Sequence, residues 1–340
     1  MWFVSLRRLA FLLLVFLLYT PLSAHSSNIQ DTRTQFLQTH FTKVLSRPVT
    51  DPERTLRDLL SVASNPQEKA WLVYRWVTSH FKHDTRLAAK VGDPATKSLQ
   101  DLMKVGGGSC AVDAEVTARL MKLAGLEVKT IYGMAKGGAA SSVVNGKRVN
   151  HVWNAVNLNG NWYVVDTTWG AGFVGPYGFQ RDQSDLYFMI PGELAVFTHF
   201  DESDELGYQR RQAVDQKVFS RLPSDALYMA SLGFDVQEIL SVARQGLGSA
   251  LVQTFDQKPG LFAVTDAPVR EVLPRKPQSF SIESEVYSEL MVVQGKTWTP
   301  FNKNGSSYSL TITPDRGELI VMARRSKLSD FEAILAYKVR

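Results

Sequence analysis

The 340-residue chain contains one cysteine, Cys110. A single cysteine excludes an intrachain disulfide and the multi-cysteine frameworks of structural zinc sites. None lies near the N-terminus, so attachment of a lipid to a processed N-terminal cysteine is excluded too. After the first 24 residues, no apolar run is long enough to span a membrane. Internal repeats and low-complexity tracts are missing, which argues against solenoids and disordered arrays. Neither sign of charge dominates: 38 basic residues face 33 acidic ones, spread along the chain. That distribution argues against a nucleic-acid partner, although mild basicity is compatible with an anionic surface such as a cell wall.

What is present reads as globular protein, with 44% hydrophobic and 21% charged residues. The length exceeds one typical domain, so two are expected. The N-terminus stands apart. Arg7 and Arg8 precede an apolar run from Leu9 to Tyr19, and Pro21-Leu22-Ser23-Ala24 follows as a cleavage region. The pattern is that of a secretory signal peptide over residues 1–24, the run being short for a membrane span; an uncleaved anchor is the other reading. Removing residues 1–24 takes away two arginines and no acid, leaving 36 basic against 33 acidic residues and a charge of +3. The expected location is secreted or periplasmic, with no integral membrane segment after cleavage.

Periodicity predicts helical turns over Thr34–Leu60 and an amphipathic helix over Gln67–Lys82, where Ala70, Leu72, Val73, Trp76, Val77 and Phe81 recur at helical spacing. A loop is expected from His83 to Lys97, a short helix at Ser98–Met103, and a helix over Ala111–Ala124 closed by Gly125. Strands follow at Glu127–Tyr132, Val149–Leu158 and Asn161–Thr167, then an ordered loop at Gly170–Gln183. The texture changes near residue 205. A charged connector at Arg210–Val218, one helix at Val236–Arg244 and six clear strands beyond it give residues 206–340 as a mainly β domain after a domain over 25–205.

Cys110 follows Gly106-Gly107-Gly108-Ser109 and opens a helix. At a helix start, the dipole and the free N–H groups favour thiolate over thiol and can donate to an oxyanion. A helical projection puts Cys110, Asp113, Thr117, Leu120, Met121 and Ala124 on one side. Asp113 is therefore a carboxylate on an apolar face one turn from the thiol, which is costly without a partner. Two readings stand: a cap for the helix's first N–H groups, or a substrate-binding or thiol-tuning group whose charge opposes the thiolate.

His151 starts a hairpin that turns at Asn159-Gly160 and returns to Asp166. With a two-residue turn, Leu158 pairs with Asn161, Trp153 lies opposite Asp166, and Thr168 lies opposite His151. His151 and Asp166 then share a face as diagonal neighbours about 7 Å apart or less at Cβ, within reach of a hydrogen bond. A three-residue loop would put Asp166 on the wrong face. A base held by a carboxylate beside a thiol is the arrangement of nucleophilic catalysis. The plainer readings are a structural strand histidine and a turn-capping aspartate.

At these residues the sequence resembles the transglutaminase-like superfamily, with its papain-like pairing of a cysteine helix and a His/Asp hairpin. The matching segments are Ser98–Leu102 before Gly107-Gly108-Ser109-Cys110, Met121–Val128 after it, His151–Val156, and Gly160–Gly170. Tyr187–Pro191 and Phe197-Thr198-His199-Phe200 are similar to the segment after the core in the kyphoscoliosis-peptidase-like branch, which often carries a β-rich region there. The resemblance implies an α+β fold, a transglutaminase-like (papain-like) core with a C-terminal mainly β accessory domain. It implies Cys110 as nucleophile, His151 as general base and Asp166 as its orienter. Asp113 stands where the family commonly has an aromatic residue, which bears on substrate preference.

The expected function is an exported cysteine acyl-transfer enzyme, cleaving or exchanging amide bonds of peptide or protein substrates, those of the cell envelope among the candidates, through a Cys110 thioester. Hydrolysis and transamidation both remain open. The alternative is a catalytically silent binding or scaffold protein of the envelope. Asp113, Gln100 and Trp153 are candidate substrate-binding or oxyanion residues, with Trp76 a further donor. The Lys136–Arg148 loop reads either as a lid or as a solvated surface loop. No cofactor is expected. Metal sites at His83-Asp84 or His199 are not expected, because ligand spacing is absent.

Overall fold

The computed structural model describes residues 24–46, 51–137, 142–144, 147–246, 250–255 and 260–340. The signal-peptide segment lies outside them up to residue 23, as does part of the Lys136–Arg148 loop. Two compact units divide the described residues, one ending at Gln212 and the other beginning at Ala213. Among the described residues, no helix is long and apolar enough to cross a membrane.

The first unit is built on helices whose starts are set by local chemistry. Ala24–Leu45 and Pro52–Leu60 lead, the second capped by Asp51, whose carboxylate accepts from Glu53 and Arg54 N–H. Pro66–His80 follows, capped by Asn65 and with proline in its first turn. Its Leu72, Val73, Tyr74, Trp76 and Val77 are buried in one cluster with Val112, Val116, Leu120 and Met121 of the helix Cys110–Leu123. Each such aliphatic side chain contributes about 1.5–3 kcal/mol by leaving water, so this contact anchors the Cys110 helix.

Beside these helices runs a five-stranded sheet in the order Ile190–Pro191, Asn161–Val165, His151–Leu158, Glu127–Ala135, His199–Phe200. The hairpin register is the expected one: Leu158 pairs with Asn161 and Asn154 with Val165. Asn159 and Gly160 take φ of 55° and 84°, the left-handed pair that a two-residue hairpin turn requires. The ladder ends at Val165, earlier than expected. Asp166 caps a short helix, Thr167–Ala171, so Thr168 is helical rather than opposite His151.

Other departures are local. The His83–Lys97 segment is not a plain loop. Lys82–His83 pairs in parallel with Gly107–Gly108, and Asp84 caps a helix over Thr85–Val91. The Gly170–Gln183 segment contains a hairpin of Gly172–Gly175 with Gly178–Arg181. The described parts of the Lys136–Arg148 loop include Ser142–Val144, paired with Lys147–Val149.

The second unit begins with three short helices, Gln216–Arg221, Ala226–Ser231 and Val236–Arg244, where one was expected. Asp215 and Asp235 cap the first and third. Two sheets follow. One runs Gln253–Thr254, Glu332–Val339, Gly317–Arg324, Glu289–Gln294, Thr297–Pro300, and the other Ala263–Asp266, Gln278–Glu283, Ser307–Ile312, Asn302–Asn304. Phe280 of the second sheet meets Tyr337 of the first edge to face at 5.6 Å, so the two sheets share a core as a sandwich does.

Candidate active site

Cys110 is the first residue of its helix, after Ser109. The glycines before it are demanded by space. A Cβ at Gly107 would run into the Lys82 backbone, and one at Gly108 into Val112. The parallel pairing with Lys82–His83 thus fixes the segment that leads into Cys110. Cys110 is partly exposed. Its helix start leaves N–H groups without intrahelical acceptors, suited to an oxyanion.

His151 Nε2 lies 2.7 Å from Asp166 Oδ2, both side chains buried. That leaves the other ring nitrogen, Nδ1, for Cys110, with which His151 also interacts. Burial alone would lower the imidazole. The charge and hydrogen bond of Asp166, with Cys110, outweigh it and push His151 up to about 10. Burial likewise works against ionised Asp166, yet His151 and His199 hold its carboxyl far below the usual range. Asp166 is also the cap of the Thr167 helix: Oδ1 accepts from Thr168 and Trp169 N–H, each at 3.0 Å. Asp166 thus caps the helix with one oxygen and contacts His151 with the other.

His199 was not among the expected site residues. Its Nε2 lies 3.1 Å from the same Asp166 Oδ2. It arrives on the far edge strand, beside Ala135. A Cβ at Gly133 would strike the Phe200 carbonyl and the Trp153 indole, so glycine lets that edge strand close in. Trp169 stacks on His151 at 4.9 Å, and Trp153 meets His199 at 4.8 Å. The available signal was a lone histidine in the aromatic segment Phe197-Thr198-His199-Phe200.

His151, Asp166 and His199 offer metal-type ligand atoms within 4.8 Å of one another. The 2.7 and 3.1 Å separations are hydrogen-bond distances. Ligands in a zinc tetrahedron, with bonds of about 2.0–2.1 Å, stand about 3.4 Å apart. The geometry is that of a hydrogen-bonded cluster.

The secondary candidates are placed elsewhere. Asp113 is 1% exposed and, among the described residues, caps no helix N–H group, which corrects the capping reading. Its Oδ2 accepts from the Thr168 hydroxyl at 2.9 Å, and its Oδ1 finds no partner among the described residues. Burial pushes its carboxyl up to about 7. The Thr168 bond opposes that rise, the Asp166 charge adds to it, and His151 and Arg181 oppose it. Trp153 is 3% exposed, so its indole offers no surface to a substrate. Gln100 is exposed on the helix Leu99–Val105. Trp76 is buried in the helical core and stacked on His80 at 4.0 Å. His83, half-buried beside Gly108, is held below the ordinary imidazole range by burial and then by the charge of His151.

Comparison with known proteins meets this geometry. Residues 53–167, which include Cys110, His151 and Asp166 but not His199, match the transglutaminase-like superfamily. The chain is 29% identical to human kyphoscoliosis peptidase over 154 residues, 44% of this chain and 23% of that protein. It is 26% identical over 181 residues to the Lim and transglutaminase domain protein ltd-1 of Caenorhabditis elegans, 49% of this chain and 24% of that one. The chain thus spans about a quarter of the length of these relatives. A solved structure described as "Crystal structure of a TGase" is 16% identical and covers 51% of this chain and 40% of that chain, with a TM-score of 0.28.

Proposed function

We propose that the transglutaminase-like domain of this chain is a cysteine acyl-transfer enzyme acting on amide bonds of peptides or proteins, with Cys110 as nucleophile, His151 as general base and acid, and Asp166 as orienter. The observation that carries this reading is the buried 2.7 Å contact of His151 with Asp166, on a hairpin that presents the other ring nitrogen to Cys110. The Cys110 sulfur attacks the carboxamide carbon, and the carbonyl electrons move onto oxygen toward the N–H groups at the helix start. Collapse breaks the C–N bond, and His151 gives its proton to the leaving amine. Water then attacks the thioester with His151 as base, releasing acid and thiol; an amine in place of water yields a new amide. Hydrolysis is the favoured outcome. The chain is exported, the reading its first 24 residues support, and acts as a secreted or periplasmic protein, on substrates that include those of the cell envelope.

The second reading, a silent binding module, draws support from the Asp113 carboxyl on the nucleophile's own helix, where negative charge opposes a thiolate. One experiment separates them: the iodoacetamide reaction rate of Cys110 at pH 5–9, in the wild type and His151→Ala. The chain holds one thiol, so the signal has one source. Fast labelling that persists at pH 6 and falls at least tenfold in the variant is the expected result. Slow labelling that the substitution leaves unchanged sinks the enzyme reading.

A further inference from the structure

We infer that His199 is a positioning residue of this site: by donating its Nε2–H to the Asp166 oxygen that holds His151, it moderates the carboxylate's grip on the imidazolium, so that His151 can release its proton to the leaving amine. The inference rests on the reading of His151 as the catalytic acid and base.

The geometry settles which atoms donate. Asp166 is ionised and accepts only, so both histidines donate to it from Nε2. On the far side of His199, Nδ1 stands 2.8 Å from the Thr198 hydroxyl. A neutral ring with its proton on Nε2 accepts there from Thr198, and burial, the largest influence on His199, favours the neutral ring. The positive charge of His151 pushes the same way. Around His199 the titratable groups are Asp166 at the helix cap and His151 on its strand, with Asp113 beyond them acting on both. Asp201 and Tyr208 line a small cavity together with His199, and Tyr187 packs against Trp169.

Two effects of losing His199 oppose each other. An Asp166 oxygen with one donor fewer is more basic and holds the His151 proton more tightly. A freed carboxylate that swung away would hold it less. The Thr168 and Trp169 N–H groups decide between them. They fix the other oxygen at 3.0 Å each from outside the His199 contact, so the carboxylate stays in place. The first effect wins, and His151 becomes a poorer acid.

The test is the imidazole 15N spectrum of the full chain, labelled in histidine. In the wild type, His199 is expected to be the neutral Nε2–H form above pH 7. With His151 near 10, about half of its rings are protonated at pH 10. In His199→Phe, which keeps an aromatic ring between Trp153 and Trp169, a rise of about one pH unit takes that fraction to about nine-tenths. His199→Gln, which restores an N–H donor, is expected to return it to the wild-type value. A merely structural ring would leave the fraction unmoved in a folded His199→Phe, and that result overturns the inference, as does a fall. If His199→Phe does not fold, the wild-type spectrum decides: a charged His199, or one protonated on Nδ1, overturns it. Failure of the enzyme reading shows separately, in the iodoacetamide rates of the wild type.

Discussion

Asp113 Oδ2 and Thr168 Oγ1 lie 2.9 Å apart, a buried bond that ties the Cys110 helix to the helix capped by Asp166. The same contact leaves the second oxygen of Asp113 without a partner among the described residues. A buried carboxyl in that position is tolerated when neutral and costly when ionised.

The consequence for stability has a definite sign. The folded-state value of Asp113, about 7, exceeds its unfolded value near 3.8. The folded chain therefore holds this proton more tightly, and stability falls as pH rises from about 4 through 7, by at most about 1.4 kcal/mol per unit. Asp113→Asn carries no such penalty. Its stability relative to the wild type is expected to improve by about 1–3 kcal/mol between pH 5 and pH 8, read from urea unfolding at both. Parallel pH profiles for the two proteins would refute the assignment.

Asp166 has separable duties. Asparagine caps helices about as well as aspartate, so Asp166→Asn is expected to retain the Thr167 helix and lose about 1–2 kcal/mol of stability. It cannot supply the charge that holds His151 up. Iodoacetamide labelling at pH 6 is expected to fall at least tenfold, and amide turnover by a factor on the order of 10^4. Labelling that matches the wild type, with a normal melting curve, would remove Asp166 from the site.

The hairpin turn separates folding from chemistry. Gly160 has φ of 84°, and a Cβ there would meet nothing within 4 Å. Gly160→Ala therefore incurs only the left-handed backbone cost, about 1–2 kcal/mol. The turn lies at the opposite end of the His151 strand from His151 itself, so labelling of Cys110 should keep its pH profile while the melting temperature drops. A changed profile would mean that the register had moved.

What was legible in the residues was local. Asn159-Gly160 admits a two-residue turn by its backbone preferences, and counting outward from it yields the observed Leu158–Asn161 and Asn154–Val165 pairs. The diagonal approach of His151 and Asp166 follows from that register. The same counting failed one residue past Val165, because Asp166 Oδ1 caps a helix and ends the strand. The short helices at Gln216–Arg221 and Ala226–Ser231 escaped because five or six residues show little periodicity, although Asp215 marks the start of one.

His199 marks the other limit. It lies 33 residues after Asp166 in the chain and reaches it from the edge strand beside Ala135. Nothing in its neighbours specifies which strand it will pair with. Sequence by itself determined the residues whose placement depends on turns, caps and the alternation of one hairpin: Cys110 at a helix start, and His151 facing Asp166. Tertiary structure alone decided the second histidine on the same oxygen and the burial of Asp113 without a full set of partners. Those depend on which surfaces meet when the sheet closes against the helices, and that choice is made by the packing of the whole core.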